Sequence, residues 1–160
     1  MPTGHGDHQA RAQQPHGEHA AADHAVDAQF TVRSASETLE SDFTYTRYFG
    51  QAEYEYRRSK HIVLASGLVG GIDGTAPLFE RFSLGDSRTL RGWNKYDIAP
   101  AGGDRVFHAS LEYRHRGLAF FFDTGSVWDR GAEARIRTAA GFGFHPDKDV
   151  FVTLGFPLNT

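Results

Sequence analysis

Hydropathy in this chain repeats every second residue through segment after segment, and no run approaches the ~20 apolar residues that a membrane helix needs. A period of two sends successive side chains to opposite faces of a strand, so the chain reads as all-β. Ala28, Phe30 and Val32 oppose Gln29, Thr31 and Arg33. In the run 43–58, Tyr48, Ala52, Tyr54 and Tyr56 oppose Arg47, Gln51, Glu53, Glu55 and Arg57. Phe43 and Tyr45 have the wrong parity there, which predicts a bulge near Gly50. Ile62, Leu64 and Leu68 align within 61–71. Phe107, Ala109, Leu111 and Tyr113 oppose His108, Ser110, Glu112 and Arg114. Phe120, Phe122 and Trp128 oppose Phe121, Asp123, Gly125 and Val127. Ile136, Thr138, Ala140, Phe142 and Phe144 oppose Arg135, Arg137, Ala139, Gly141 and Gly143, and Val150, Val152, Leu154 and Phe156 close the series.

These are seven expected strands and no helix, most of them near the ~9–11 residues that cross a bilayer as a tilted strand. Short connections at Ser59-Lys60, Arg116-Gly117 and Pro146 to Lys148 alternate with longer ones, among them a turn at Glu37 to Asp42. Outer-membrane barrels show that asymmetry. One face is aromatic and nearly uncharged. The other carries charges and glycines, which leaves room for something inside. A soluble β-sandwich alternates too, but would need fewer glycines on its polar face.

One connection is exceptional. Roughly Ile72 to Asp104 is too long for an ordinary loop, and such loops are usually functional or disordered. Gly85, Leu90, Arg91, Gly92, Trp93, Gly102 and Gly103 give it the motif density of an ordered one. Arg91 brings a permanent charge with a planar fork of donors. Gly92 allows close approach, and Trp93 offers a large amphipathic surface. On residue type alone, Arg91 is a solvated loop cation and Asp123-Thr124-Gly125 an ordinary turn. Trp93 and Trp128 read as packing anchors, and His61, His108 and His145 as polar wall residues.

Residues 1–27 differ in kind. His5, His8, His16, His19 and His24 stand among Ala, Gly, Gln and acids, with almost no large apolar side chain. Such a segment buries no core, so a disordered His-rich linker is expected over 1–27 and a folded domain over 28–160. The histidines fit no closed zinc site, and weak metal binding is the lesser reading. No apolar h-region marks a secretory signal. With no cysteine, disulfides contribute nothing, and a net charge of −3 gives no electrostatic case for nucleic acid. No cofactor motif, metal set or catalytic set is recognised, and no Gly-x-Ser-x-Gly nucleophile is present.

From about Asp42 to Leu158 the chain resembles the carboxy-terminal part of the BamA/TamA-type outer-membrane barrel superfamily, also called the bacterial surface antigen family, which includes the two-partner-secretion transporters. Phe82-Ser83-Leu84-Gly85 followed by Thr89-Leu90-Arg91-Gly92-Trp93 is similar to the family's loop-six motif. Gly102-Gly103, Leu111-Glu112-Tyr113-Arg114, Phe121-Phe122-Asp123-Thr124-Gly125, Gly141-Phe142-Gly143-Phe144 and Gly155-Phe156-Pro157-Leu158 follow in the family's order. Each tetrapeptide is weak alone, and the ordered set is specific. Asp86 stands where the family usually has a second glycine.

The resemblance implies an up-and-down transmembrane β-barrel segment whose long loop folds into the lumen. There Arg91 would meet acids of the inner wall. The parity reading independently puts Glu112 and Asp123 inward on neighbouring strands, ~4.8 Å apart and within reach of one guanidinium. Phe121 and Gly125 belong to the same strand motif. The implied role is anchoring rather than catalysis, in an outer-membrane protein related to polypeptide assembly, insertion or translocation. Its implied partners are the lipid bilayer and unfolded client polypeptides or another barrel chain, with no nucleic acid. Counting sides from an external loop after Gly71 ends the seventh strand outside, so the family's last strand and its periplasmic POTRA-type domains are expected to be missing. The chain would then be a truncated product, a subunit needing a partner, or the membrane end of a larger gene. Alternatives are the anchor of a larger enzyme such as a patatin-like lipase, or a soluble β-sandwich binding module.

Overall fold

The computed structural model describes residues 22–36, 42–86, 88–147 and 150–159, the side chains of 145–147 and 150 excepted. Seven antiparallel strands form one sheet in chain order: β1 (Asp23–Ala35), β2 (Tyr45–Arg58), β3 (His61–Gly74), β4 (Arg105–His115), β5 (Leu118–Trp128), β6 (Arg137–Asp147) and β7 (Val150–Pro157). This is an up-and-down partial barrel. β1 and β7 do not pair with each other, so the sheet is open. Two facing sheets, as a sandwich requires, are not present among the described residues.

The pairing register assigns every side chain to a face. Ser110 opposes Asp123, Glu112 opposes Phe121, and Asp123 opposes Ala139, so all five point inward. Phe107, Leu111, Phe120, Phe122, Phe142, Phe144, Leu154 and Phe156 point outward, and most are half-exposed. With Phe30, Val32 and Val69 they make a continuous apolar band. From Phe107 to Tyr113 that band runs roughly 20 Å along β4.

Long and short connections fall at opposite ends. The hairpin at Arg116-Gly117 has both residues at positive φ, 48° and 83°, the turn geometry that matches strand twist. At the other end, Tyr45, Ile72, Val106 and Val127 of the wall pack with Phe82, Leu84 and Leu90 of the long loop as the molecule's core.

Four expectations change. β1 begins at Asp23 rather than Ala28, because pairing with β2 continues to Asp23↔Arg57. Residues 1–21, which hold His5, His8, His16 and His19, lie outside the described residues, as does 37–41 of the turn expected there. No bulge occurs at Gly50: the β1–β2 and β2–β3 registers are continuous. Tyr45 and Phe49 break the polar parity because the infolded loop gives them an apolar partner, and the Phe49 and Phe82 rings lie 6.1 Å apart. Ile62, Leu64 and Leu68 face inward with Arg57, Glu55 and Gln51. Finally, β6 runs on to Asp147 and β7 begins at Val150, and 148–149 lie outside the described residues. The loop, where no helix was expected, contains a 3-10 turn at Leu78–Glu80 and one α-helical turn, α1 (Lys95–Ile98), capped by Asn94 through the Tyr96 amide.

Candidate functional site

The loop between Gly74 and Arg105 turns inward and lies on the inner wall. Its tip is a tight turn organised by Asp86, whose Oδ1 accepts from the Arg88 amide at 2.8 Å, the Thr89 amide at 2.7 Å and the Thr89 hydroxyl at 3.0 Å. Partial burial would raise this carboxyl. The three donated hydrogen bonds outweigh burial and hold it below the ordinary aspartate value. The residue that departs from the family motif is therefore a turn-former.

After the turn, Leu90 is fully buried and adopts φ 47°. A branched side chain in the left-handed region costs roughly 1–2 kcal/mol, and the surroundings over-determine it. The Leu90 amide donates to His108 Nε2 at 3.1 Å, and the Leu90 carbonyl accepts from Trp93 N. Because Nε2 accepts, the His108 ring is neutral in this arrangement.

Arg91 then meets the wall. Its amide and Nε donate to Asp123 Oδ2, each at 2.9 Å, and its Nη2 donates to Asp123 Oδ1 at 2.9 Å. Nη1 donates to Glu112 Oε2, and Nη2 also reaches Ser110 Oγ at 3.1 Å. Ser110 in turn donates to Asp123 Oδ1 at 2.6 Å, and Arg114 Nε to Glu112 Oε1 at 2.5 Å. The guanidinium lies 3.6 Å from the centroid of the Phe121 ring. That ring lies flat because Gly141 stands opposite: a Cβ there would fall 2.4 Å from Phe121 Cζ. Gly125 similarly leaves space for Leu84. Asp123 is 1% exposed and the side chains of Glu112 and Arg91 are 7% and 12% exposed. The cluster thus sits near the buried limit, where removing one partner costs about 3–5 kcal/mol.

Beyond Arg91, the loop backbone touches β7. Gly92 has φ 90°, and a Cβ on it would fall 2.7 Å from the Gly155 carbonyl carbon. Gly155 is just as constrained, by Gly92 N at 2.8 Å. Trp93 Nε1 donates to the Thr138 carbonyl at 2.9 Å, and the Arg137 guanidinium lies 4.8 Å from the Trp93 ring.

The structure therefore brings together Leu90, Arg91, Gly92, Trp93, Glu112, Asp123, Phe121 and Gly125. It also shows partners that residue-by-residue reading missed. Ser110, His108 and Arg114 share the inward parity of Glu112, and that parity was their available signal. A second ionic contact had none. Glu80 in the loop accepts from Arg33 Nη1 of β1 at 2.6 Å, while its carbonyl accepts from Arg47 Nε of β2 at 3.1 Å. Its polarity is opposite to that of the Arg91 cluster: loop acid on wall cations rather than loop cation on wall acids. Trp128 packs edge-on to Phe107 on the outer face, and His61 bonds the Tyr113 hydroxyl there rather than lining the lumen wall. The side chain of His145 lies outside the described residues.

A family model described as "Omp85 superfamily domain" matches residues 23–145. A curated relative, "Outer membrane protein assembly factor BamA" of Nitratidesulfovibrio vulgaris, is 34% identical over 108 residues, which cover 54% of this chain and 14% of the relative.

Proposed function

Because the chain belongs to the Omp85 superfamily of outer-membrane assembly and translocation proteins, we propose that it forms the loop-bearing wall of such a barrel. Its apolar face would lie in outer-membrane lipid, and the clasped loop in the lumen. One observation carries the reading: a loop arginine is bonded to two wall acids on the inward face of a sheet whose outward face is apolar. This arrangement holds and positions; it has no need of bond chemistry. The function is then assembly or translocation of unfolded client polypeptides, with the Arg91 cluster fixing the loop beside their route. Among the described residues the outer edges of β1 and β7 have no strand beside them. In lipid such edges need pairing, from more of the same barrel or from another chain.

The test refolds the full chain into phosphatidylcholine vesicles. Embedded protein should migrate heat-modifiably and resist alkaline extraction. Arg91→Ala should leave that behaviour intact and open residues 78–93 to protease, because the removed partner leaves two buried carboxylates uncompensated. Arg91→Lys should protect only partly, since an ammonium cannot reproduce the fork. Unchanged cleavage in Arg91→Ala would refute the clasp, whereas a folded chain that stays monomeric and soluble without lipid or detergent would refute the membrane reading.

A further inference from the structure

The short-turn end of the outer face gathers three exposed cations, Arg58, Lys60 and Arg116, on two neighbouring hairpins. On the inward face at this end, Arg57 is paired with Glu55 and Arg114 with Glu112. At the long-loop end, Arg105 and Arg130 converge on Asp73. Arg58, Lys60 and Arg116, at the outer rim of the short turns, are exposed and have no ion pair among the described residues. The outward positions of β1 to β4 bordering that rim include no acid: beside Val26 and Val63 they are His24, Tyr54, Tyr56, His61, Tyr113 and His115.

The rim is also ordered. Arg58 opposes His61 and His61 opposes His115, so the two cationic hairpins lie side by side across three strands. Neighbouring strands are ~4.8 Å apart, which puts the hairpins roughly 10 Å apart. Between them the His61 and His115 rings lie 4.4 Å apart, and His61 Nδ1 is 2.6 Å from the Tyr113 hydroxyl. On the next pair of strands, His24 Nδ1 is 2.7 Å from the Tyr54 hydroxyl. Aromatic side chains with polar tips mark the depth at which hydrocarbon gives way to headgroups. Beyond that depth the two hairpins after β2 and β4 present Arg58, Lys60 and Arg116, with no acid among residues 58–61 and 115–118.

We propose that this rim is a docking surface for the phosphate of anionic phospholipid headgroups in the leaflet at the short-turn side. The proposal rests on the membrane reading above. Arg58, Lys60 and Arg116 supply fixed charge, and the tyrosine–histidine pairs rest at the glycerol level beneath it. Fixed cations at a membrane surface attract anionic headgroups, so the three together should enrich anionic over zwitterionic lipid by about tenfold.

The full chain, reconstituted in phosphatidylcholine bilayers, is probed with spin-labelled phosphatidylglycerol and spin-labelled phosphatidylcholine, and the ratio of their association constants is measured. The unaltered chain should favour phosphatidylglycerol strongly. The triple variant Arg58→Gln/Lys60→Gln/Arg116→Gln should bring the ratio close to one while remaining embedded. Arg135→Gln, an exposed cation at the opposite end, should leave the preference in place. A preference that survives the triple variant, or falls equally with Arg135→Gln, overturns the proposal. So does its abolition by millimolar inorganic phosphate at constant ionic strength, which would make the rim a site for soluble phosphate. A folded chain that is monomeric and soluble without lipid or detergent refutes the membrane reading itself, a different result from an embedded chain with no lipid preference.

Discussion

At the scale of single residues, the site is a matter of which donors face which acceptors. Arg91 presents its backbone amide and its whole guanidinium to one small set of oxygens on β4 and β5. Parity made Glu112 and Asp123 legible as inward residues. Residue type said nothing of the Leu90 amide meeting His108, because a backbone donor in a loop leaves no mark on the sequence. Asp86 is a sharper case. Its lowered pKa arises from hydrogen bonds made to the carboxylate in the folded turn, so the ionised form favours the folded loop. That stabilisation is full above the ordinary aspartate value, about 4, and is lost as pH falls through the lower folded value. Amide-exchange protection factors at Arg88 and Thr89 should accordingly collapse on acidification below about pH 4. In Asp86→Ala they should be low throughout and flat with pH. A retained acid transition in that variant would assign the effect to another group.

At the scale of elements, the alternation told strands from loops well and told little about what the inner face holds. Tyr45 looked misplaced because its partner, Phe82, arrives from more than thirty residues away, and Phe49 shares that partner. The wall glycines looked like empty space and are instead seats: Gly125 beneath Leu84, Gly141 beneath Phe121, Gly155 against Gly92. Gly155→Ala should therefore displace the loop from β7, since backbone atoms 2.8–2.9 Å from the new methyl cannot yield as a side-chain tip can. Gly67→Ala should be tolerated, its nearest neighbour being the His108 carbonyl at an ordinary 3.5 Å. Protease cleavage of the loop should rise in the first variant and not in the second. Equal behaviour would mean that the Gly92–Gly155 contact does not hold the loop.

At the scale of the whole molecule, the loop reaches the wall from one edge to the other. Glu80 meets β1 and β2, Phe82 lies over Gly70 of β3, Arg91 joins β4 and β5, Trp93 reaches β6, and Gly92 touches β7. Two of its ionic contacts, Glu80 on β1 and β2 and Arg91 on β4 and β5, have opposite polarity. Glu80→Gln should loosen only the β1–β2 side, with a modest cost because Arg33 is more than half exposed. Combining it with Arg91→Ala should increase loop cleavage beyond either change alone. A double variant no more sensitive than Arg91→Ala would show that the first contact contributes nothing.

The way Arg91 is bound has a bearing on how the wall comes to be aligned. A strand displaced by a single residue presents its opposite face. Were β4 or β5 to slip so, Leu111 or Phe122 would come to the lumen in place of an acid, and the guanidinium would lose one of its two counter-charges. Closure of the ion cluster is thus conditional on correct pairing of two strands that are far from Arg91 in sequence. The loop would settle only on a correctly assembled sheet, discarding misaligned ones before they persist.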